Sequence, residues 1–208
     1  MHFISIEGTE GSGKSLLVQS LVKMFRTTGY EIVVTREPGG IAIAESIRSI
    51  LLDPANREMD SRTEALLYAA ARRQHLVEKI IPALSRGALV ICDRFIHSSL
   101  AYQGYARGLG IDEVFEINRF AVDNCMPSLT IYLDIDPEIG LTRIHKDASR
   151  EINRIDLESL CFHRKVREGY HRLCQIDENM KSIDANQLPD QVAADAWMII
   201  QKHLKFVH

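Results

Sequence analysis

Short runs of consecutive apolar residues alternate along this chain with longer stretches in which apolar positions recur at helical spacing. Phe3-Ile4-Ser5-Ile6 predicts a strand that ends in a glycine-rich turn, and Leu16 to Phe25 predicts a helix that Gly29 stops. Glu31 to Thr35, with Ile32, Val33 and Val34, predicts a second strand before Pro38-Gly39-Gly40. Arg62 to Ser85 reads as a long helical region whose end is marked by Pro82 and Gly87, and Ala88 to Cys92 follows as a third strand. Leu129 to Leu133 is a fourth strand and Met180 to Ile183 a short fifth. Strands separated by helical stretches imply β-α-β crossovers. The expected fold is α/β, with a five-stranded, mostly parallel sheet flanked by helices in three layers.

Length and composition narrow the class. At 208 residues and 23.6 kDa, one domain covering residues 1–208 is expected. Hydrophobic residues at 46% and charged residues at 25% exclude a collagen, a disordered tail and a disulfide-stapled mini-domain. A net charge of −3 excludes a polybasic duplex-binding or membrane-surface protein, so neither nucleic acid nor membrane is an expected partner. Cys92, Cys125, Cys161 and Cys174 are far apart and form no C-x-x-C pair, which argues against a zinc or redox site and for reduced structural thiols. No signal-peptide pattern opens the chain, and no apolar run approaches the roughly 18 residues of a membrane span. A cytoplasmic location is expected.

The chemistry begins at the first glycine-rich turn. Gly8-Thr9-Glu10-Gly11-Ser12-Gly13-Lys14-Ser15 fits G-x-x-x-x-G-K-[ST] in full, between a strand and an amphipathic helix. In such a loop backbone N–H groups converge on phosphate at a helix N-terminus. Lys14 would reach the β/γ-phosphates and the Ser15 hydroxyl would ligate Mg²⁺. A phosphate loop needs a second metal-organising acid, and Leu89-Val90-Ile91-Cys92-Asp93 supplies one at a strand end. Arg94 follows at once; a simple Asp93–Arg94 surface pair is the plainer alternative.

Neither the D-x-x-G switch nor the N-K-x-D guanine reader of a GTPase occurs, and the chain is too short for a motor or transporter ATPase. A small kinase passing the γ-phosphoryl group of ATP to a small acceptor remains. Arg36, Arg48, Arg72, Arg94, Arg150 and Arg154 lie near predicted strand ends or in polar loops, and two anionic substrates meeting head to head need such cations. His145 to Arg154 is polar and almost without apolar anchors, which suits either a solvated loop or a cationic flap over the phosphate site; the lid is placed at about 145–156. His75 and His97 near the acceptor side are expected to pack or hydrogen-bond rather than shuttle protons. Phe115, Phe120 and Val122 are expected in the core; an exposed part of that face would be a subunit interface.

Several blocks carry a resemblance over nearly the whole chain. They include the phosphate loop, Thr35-Arg36-Glu37-Pro38-Gly39-Gly40, Arg72-Arg73-Gln74-His75 and Asp93-Arg94-Phe95. Ser98-Ser99-Leu100-Ala101-Tyr102-Gln103-Gly104, Asn153-Arg154-Ile155-Asp156 and Val166-Arg167-Glu168-Gly169-Tyr170 follow. In these the chain resembles the bacterial thymidylate kinases, P-loop kinases that phosphorylate dTMP with ATP and Mg²⁺.

The resemblance implies roles by position. Tyr68 matches the aromatic on which thymine stacks, Arg72 the residue that bonds the base, and Ser99 and Gln103 the readers of its edge. Tyr102 matches the ring under the sugar's 2′ carbon. Arg48 and Arg94 match the holders of the acceptor phosphate, with Glu37, Pro38 and Ser98 beside them. For ATP, the loop Gly8 to Leu16 matches the phosphate site, and Arg143 with Ala185-Asn186-Gln187 the adenine pocket. No phosphate-loop variable position (Thr9, Glu10 or Ser12) is cationic, so Arg150 and Arg154 are expected to supply the transition-state arginine alongside Lys14, Arg94 and Asp93. A homodimer is implied. The departures are Ile41 and Ala44, where a threonine and a glycine are common, Asn153 in place of aspartate, and Ser128 in place of aspartate. A related nucleoside monophosphate kinase or a nucleotide-dependent switch module with little turnover are the alternative readings.

Overall fold

The structure is a computed structural model that describes residues 2–146 and 152–205. Its centre is a five-stranded sheet formed by β1 (Phe3–Gly8), β2 (Ile32–Arg36), β3 (Leu89–Asp93), β4 (Leu129–Asp134) and β5 (Met180–Asp184). The order is β2-β3-β1-β4-β5 and every neighbouring pair is parallel. Each observed strand runs one or two residues beyond the predicted C-terminal end, because ladder pairing continues past the apolar run, as at Ile6 with Asp93 and Asp134 with Asp184.

The chain winds to one side of β1 through β2 and β3, then to the other through β4 and β5. Where the winding reverses, the loops at the strand C-termini part and leave a crevice, the usual ligand site of an open parallel sheet. The helices are α1 (Lys14–Phe25), α2 (Ala42–Leu52), α3 (Ser61–His75), α4 (Ile81–Ser85), α5 (Ile96–Ser99), α6 (Ile111–Val122), α7 (Pro137–Lys146), α8 (Leu160–Ile176) and α9 (Pro189–Leu204). Two π-helical stretches, Leu76–Ile80 and Leu100–Ala106, extend α3 into α4 and α5 toward the loop before α6. The predicted single helix from Arg62 to Ser85 is therefore continuous in path, with a widened turn at its centre.

Successive side chains of a strand point to opposite faces of a sheet. One face carries Ile4, Ile6, Leu89, Ile91, Leu129, Ile131 and Leu133, all buried against α1 and α9. The other carries Phe3, Val90, Cys92 and Tyr132 among apolar residues of α3 to α6 and α8, and also the buried polar Ser5, Glu7 and Thr130. Ser5 Oγ and Thr130 Oγ1 bond each other at 2.9 Å, and Thr130 continues to His97. This mixed face leads into the crevice.

Three expectations change. Phe115 and Phe120 are not core: Phe120 is 91% exposed on the outer side of α6, whereas Val122 is buried. His145 and Lys146 belong to the last turn of α7, so the polar segment begins later than the composition suggests. Arg150 lies outside the described residues, but Arg154 to Asp156 form a buried turn rather than an open flap. The departures from the family pattern are accommodated. Ala44 is fully buried, Asn153 Oδ1 accepts the Ile155 and Asp156 N–H groups, and Ser128 Oγ donates to the Phe3 carbonyl.

Candidate active site

The phosphate loop turns between β1 and α1 on glycines. Gly11 (φ +70°) and Gly13 (φ +92°) are left-handed, and a Cβ on Gly11 would collide with the Gly140 carbonyl of α7. No side chain caps α1, so its first N–H groups remain to meet an anion. Lys14 Nζ curls over the loop, donating to the Gly8 and Thr9 carbonyls at 3.0 and 2.9 Å and to Ser12 Oγ at 3.3 Å. Burial, reinforced by the charge of Arg94, pushes the Lys14 ammonium down to about 8. Ser15 Oγ donates to Asp93 Oδ2 at 3.4 Å, so the hydroxyl and carboxylate expected to share a cation are neighbours.

Beside this loop lies a cleft lined by Gly11, Leu16, Arg143, Ala185, Gln187 and Pro189. Leu16 is 56% exposed there, an apolar plate next to the loop. Arg143 donates to the Gly11 and Ala185 carbonyls, both at 3.4 Å. Asn186 turns its amide onto Asp184 and Gln187 onto Asp195, so these two shape the turn through neighbouring acids.

On the other side is a second cavity, lined by Glu10, Glu37, Pro38, Arg48, Tyr68, Arg72, Arg94, Ser98, Ser99, Tyr102, Gln103 and Asn153, with Leu52, Phe95 and Ile155 completing its walls. Every residue expected on the acceptor side is there. Glu10, Glu37, Arg48 and Arg94 line both this cavity and the concavity over Lys14, Ser15 and Asp93. The two cavities thus meet end to end at a wall of two arginines.

Local structure explains the positions. Arg94 adopts a left-handed backbone (φ +70°), rare and costly for a residue with a Cβ, and this turns its guanidinium back toward the loop. There it donates to the Gly8 carbonyl at 2.7 Å and to Glu10 Oε1 at 2.8 Å. Tyr102 Oη donates to Glu10 at 2.7 and 2.8 Å, and His163 Nδ1 lies 3.4 Å from Glu10 Oε2. Burial would raise the Glu10 carboxyl, yet Arg94, His163 and Lys14 hold it well below the usual carboxylate range. Glu10, expected with the ATP site, lines the concavity over the phosphate loop and the second cavity alike. Arg48 donates to the Pro38 carbonyl at 2.9 Å. Burial raises the Tyr68 phenol to about 12, which keeps the ring neutral.

Arg72 is almost wholly buried and uses four of its five N–H groups within the protein. Its Nε donates to Glu37 Oε2 at 2.8 Å, one terminal nitrogen to Ser99 Oγ at 3.1 Å and to Asn118 Oδ1, and the other to the Phe95 carbonyl at 3.0 Å. The second Glu37 oxygen meets His75 Nδ1 at 3.0 Å; His97 pairs with Asp177 at 2.9 Å. Both histidines are therefore bonded within the protein, as expected. Arg154 is buried with its guanidinium on Glu64 and on the Leu51 carbonyl (2.9 Å), in the chain between Asn153 and Ile155, which line the second cavity.

Sequence reasoning missed the acids that hold this site. Glu7 accepts the Phe95 N–H at 2.7 Å, Ser98 Oγ at 2.6 Å and Tyr170 Oη at 3.0 Å, fixing the turn that follows Arg94. Glu64 accepts from Gln103, Arg107 and Arg154. The available signal for Glu7 was one acid at the end of an otherwise apolar strand.

Comparison with known proteins agrees with this geometry. The thymidylate kinase family model matches residues 6–196. A thymidylate kinase of Bacillus cytotoxicus is 58% identical over 203 residues, covering 97% of this chain and 98% of the relative. One of a Geobacillus species is 59% identical over 194 residues, covering 93% and 92%. A crystal structure of thymidylate kinase from Ehrlichia chaffeensis superposes with a TM-score of 0.78 at 29% identity, covering 96% of this chain and 98% of that one. A phosphate loop facing an arginine-walled second cavity across one sheet, with relatives this similar along their full length, places the chain in the thymidylate kinase family.

Proposed function

We propose that the chain carries out its family's reaction with residues 1–208 acting as one P-loop kinase domain, and that the two abutting cavities are its donor and acceptor sites. It phosphorylates dTMP to dTDP using ATP. The observation that carries the division of labour is the shared wall of Glu10, Glu37, Arg48 and Arg94, which brings two phosphate sites face to face.

The triphosphate lies along the α1 N-terminus with Lys14 over its outer phosphates, and the adenine in the cleft of Leu16, Arg143 and Ala185 to Gln187. dTMP enters the second cavity with its base against Tyr68 and toward Arg72, Ser99 and Gln103, its sugar on Tyr102, and its phosphate on Arg48 and Arg94. Pro38 and Ser98 complete that wall. An acceptor phosphate is already an anionic nucleophile at neutral pH, so no general base is required. Catalysis consists of alignment and of cations placed where charge develops. Arg94 serves both, because its strained backbone fixes it between the two cavities.

Ser15 and Asp93 fit a Mg²⁺ carried by the nucleotide: one hydroxyl and one carboxylate, adjacent and open to the loop, are hard oxygen donors that leave room for phosphate and water. When bound, the cation neutralises phosphate oxygens. Arg150 supplies a cation for the transferred group, and Arg154 joins it by leaving Glu64. Phe115 and Phe120 of α6 form the subunit interface of a homodimer. The enzyme works in the cytoplasm; its cysteines are free, and among the described residues no helix is long and apolar enough to cross a membrane.

The test is ADP release from ATP and Mg²⁺ with dTMP, dUMP, UMP, CMP, AMP and GMP offered singly. Stimulation by dTMP far above the others is expected. A flat panel with measurable ATP binding would replace this reading by a nucleotide switch.

A further inference from the structure

Glu64 sits in the first turns of α3 and is 1% exposed, although it carries a charge. Its Oε1 accepts Gln103 Nε2 at 2.8 Å; its Oε2 accepts Arg107 at 3.2 Å and Arg154. A carboxylate can only accept hydrogen bonds. Arg107, Gln103 and Arg154 hold this one below the usual range against the opposing effect of burial, so it stays ionised. The amide of Gln103 has one donating and one accepting end, so the end that faces Glu64 must be the nitrogen. Oε1 is then the end turned to the acceptor cavity that Gln103 lines.

The neighbouring Arg72 offers the opposite polarity. Four of its five N–H groups bond Glu37, Ser99, Asn118 and the Phe95 carbonyl, which leaves one terminal N–H as a donor. The base-facing end of the cavity therefore presents an acceptor beside a donor. An oxopyrimidine edge, N3–H beside a carbonyl, complements that pair. An aminopyrimidine edge, an N3 lone pair beside an amino group, opposes it at both positions.

We infer that Glu64 is a specificity-determining positioning residue, which selects an oxopyrimidine over an aminopyrimidine by fixing which end of the Gln103 amide faces the base. The inference rests on the proposed placement of the base against Arg72 and Gln103. Buried hydrogen-bond mismatches of this kind discriminate by several powers of ten. Replacing Glu64 with glutamine lets the contact form in either sense, because an amide can donate or accept, and Arg107 and Arg154 on the far oxygen favour the reversed one.

The experiment compares kcat/KM for dTMP and dCMP in the wild-type enzyme, Glu64→Gln, Gln103→Ala and the double variant. The dTMP:dCMP ratio is expected to fall about tenfold or more in Glu64→Gln, one of the two mismatches having been relieved. In the Gln103→Ala background the same change is expected to leave the ratio within twofold, since Glu64 then has no amide to orient. A ratio within twofold of wild type in folded Glu64→Gln overturns the inference, as does an equal fall in the Gln103→Ala background.

Arg107 and Arg154 both lose a charged partner on Glu64→Gln, so an unfolded variant is decided on the wild-type protein by NMR. With dTMP bound, a coupling from Gln103 Nε2 across the hydrogen bond to Glu64 Cδ is expected; amide protons that instead leave Glu64 for the nucleotide overturn the inference. Wild-type enzyme that fails to use dTMP would remove the underlying reading, and the inference with it. Use of dTMP with an unchanged ratio removes the inference alone.

Discussion

Glu10 Oε1 accepts the Arg94 guanidinium at 2.8 Å, tying a variable position of the phosphate loop to the cation at the end of β3. Glu10 is buried and Arg94 half-buried, and Tyr102 donates to the same carboxylate. In the proposed division of sites, the loop that grips the donor thereby orients a side chain for the acceptor. Glu10→Gln weakens a charge-assisted bond worth about 1.5–3 kcal/mol, so kcat/KM for dTMP should fall roughly 10- to 100-fold. Steady-state kinetics with each substrate varied in turn checks this. KM for dTMP should rise more than KM for ATP.

Lys14→Ala should abolish turnover while the fold persists. The ammonium is buried on carbonyls that carry no charge, so its removal leaves no buried ion unpaired. Circular dichroism should give a Tm no lower than wild type, alongside ADP release at background. Normal activity would refute the assignment of the phosphate site.

The lowered Lys14 value has a pH consequence. In the free enzyme the ammonium loses its proton as pH rises through about 8, so kcat/KM for ATP should fall above that pH. Lys14→Arg should lose this basic limb, since a guanidinium stays charged. The stability effect has the opposite direction. The unfolded lysine titrates near 10.5, so between about 8 and 10.5 the unfolded chain binds more protons and this group's contribution makes folding more favourable as pH rises. Initial rates and urea titrations across that range read the two separately.

Arg150→Ala and Arg154→Ala should behave differently. Arg154 is a buried partner of Glu64, which keeps Arg107, so its loss should cost about 2 kcal/mol and lower Tm by roughly 4–8 °C. Arg150→Ala should lower kcat more than it raises KM. An increase in KM alone would make the lid a binding element. Calorimetry and steady-state kinetics on both variants separate these outcomes.

Phe120→Asp should dissociate the proposed dimer without unfolding the subunit, because the ring is 91% exposed on α6 and contributes little to the core. Light scattering coupled to size exclusion gives the mass directly. Wild type and variant running at the same mass would remove α6 from the interface.

The order of elements and the phosphate site were legible because each rests on local sequence: apolar runs broken by helical spacing, and glycines at turns with left-handed backbone, as at Gly11 and Gly13. The buried acids were not legible. Ser61-x-x-Glu64 has the spacing of a helix N-terminal capping box, which would bind Glu64 to its own backbone. In the fold Asp60 caps α3 by accepting from Arg62 and Thr63, so Glu64 can turn inward to partners 39, 43 and 90 residues away. Phe120 misled for a related reason: helical periodicity shows that a face is apolar but not what covers it. Arg154 was placed by its polar neighbourhood, which does not reveal a carboxylate waiting on another helix.

The two unlike faces of the sheet give the protein two kinds of tolerance to change. Packing against α1 and α9 is purely apolar, so substitutions among Ile4, Ile91, Ile131 and their neighbours alter Tm by volume alone, and hydrophobic residues of similar size can replace one another. The opposite face carries Ser5, Glu7 and Thr130 into the bonds that seat Phe95, Ser98 and His97. A change there is felt as altered substrate choice before it is felt as unfolding. Random mutagenesis selected for thermal tolerance should therefore accumulate on one side of the sheet, and selection for a new acceptor on the other.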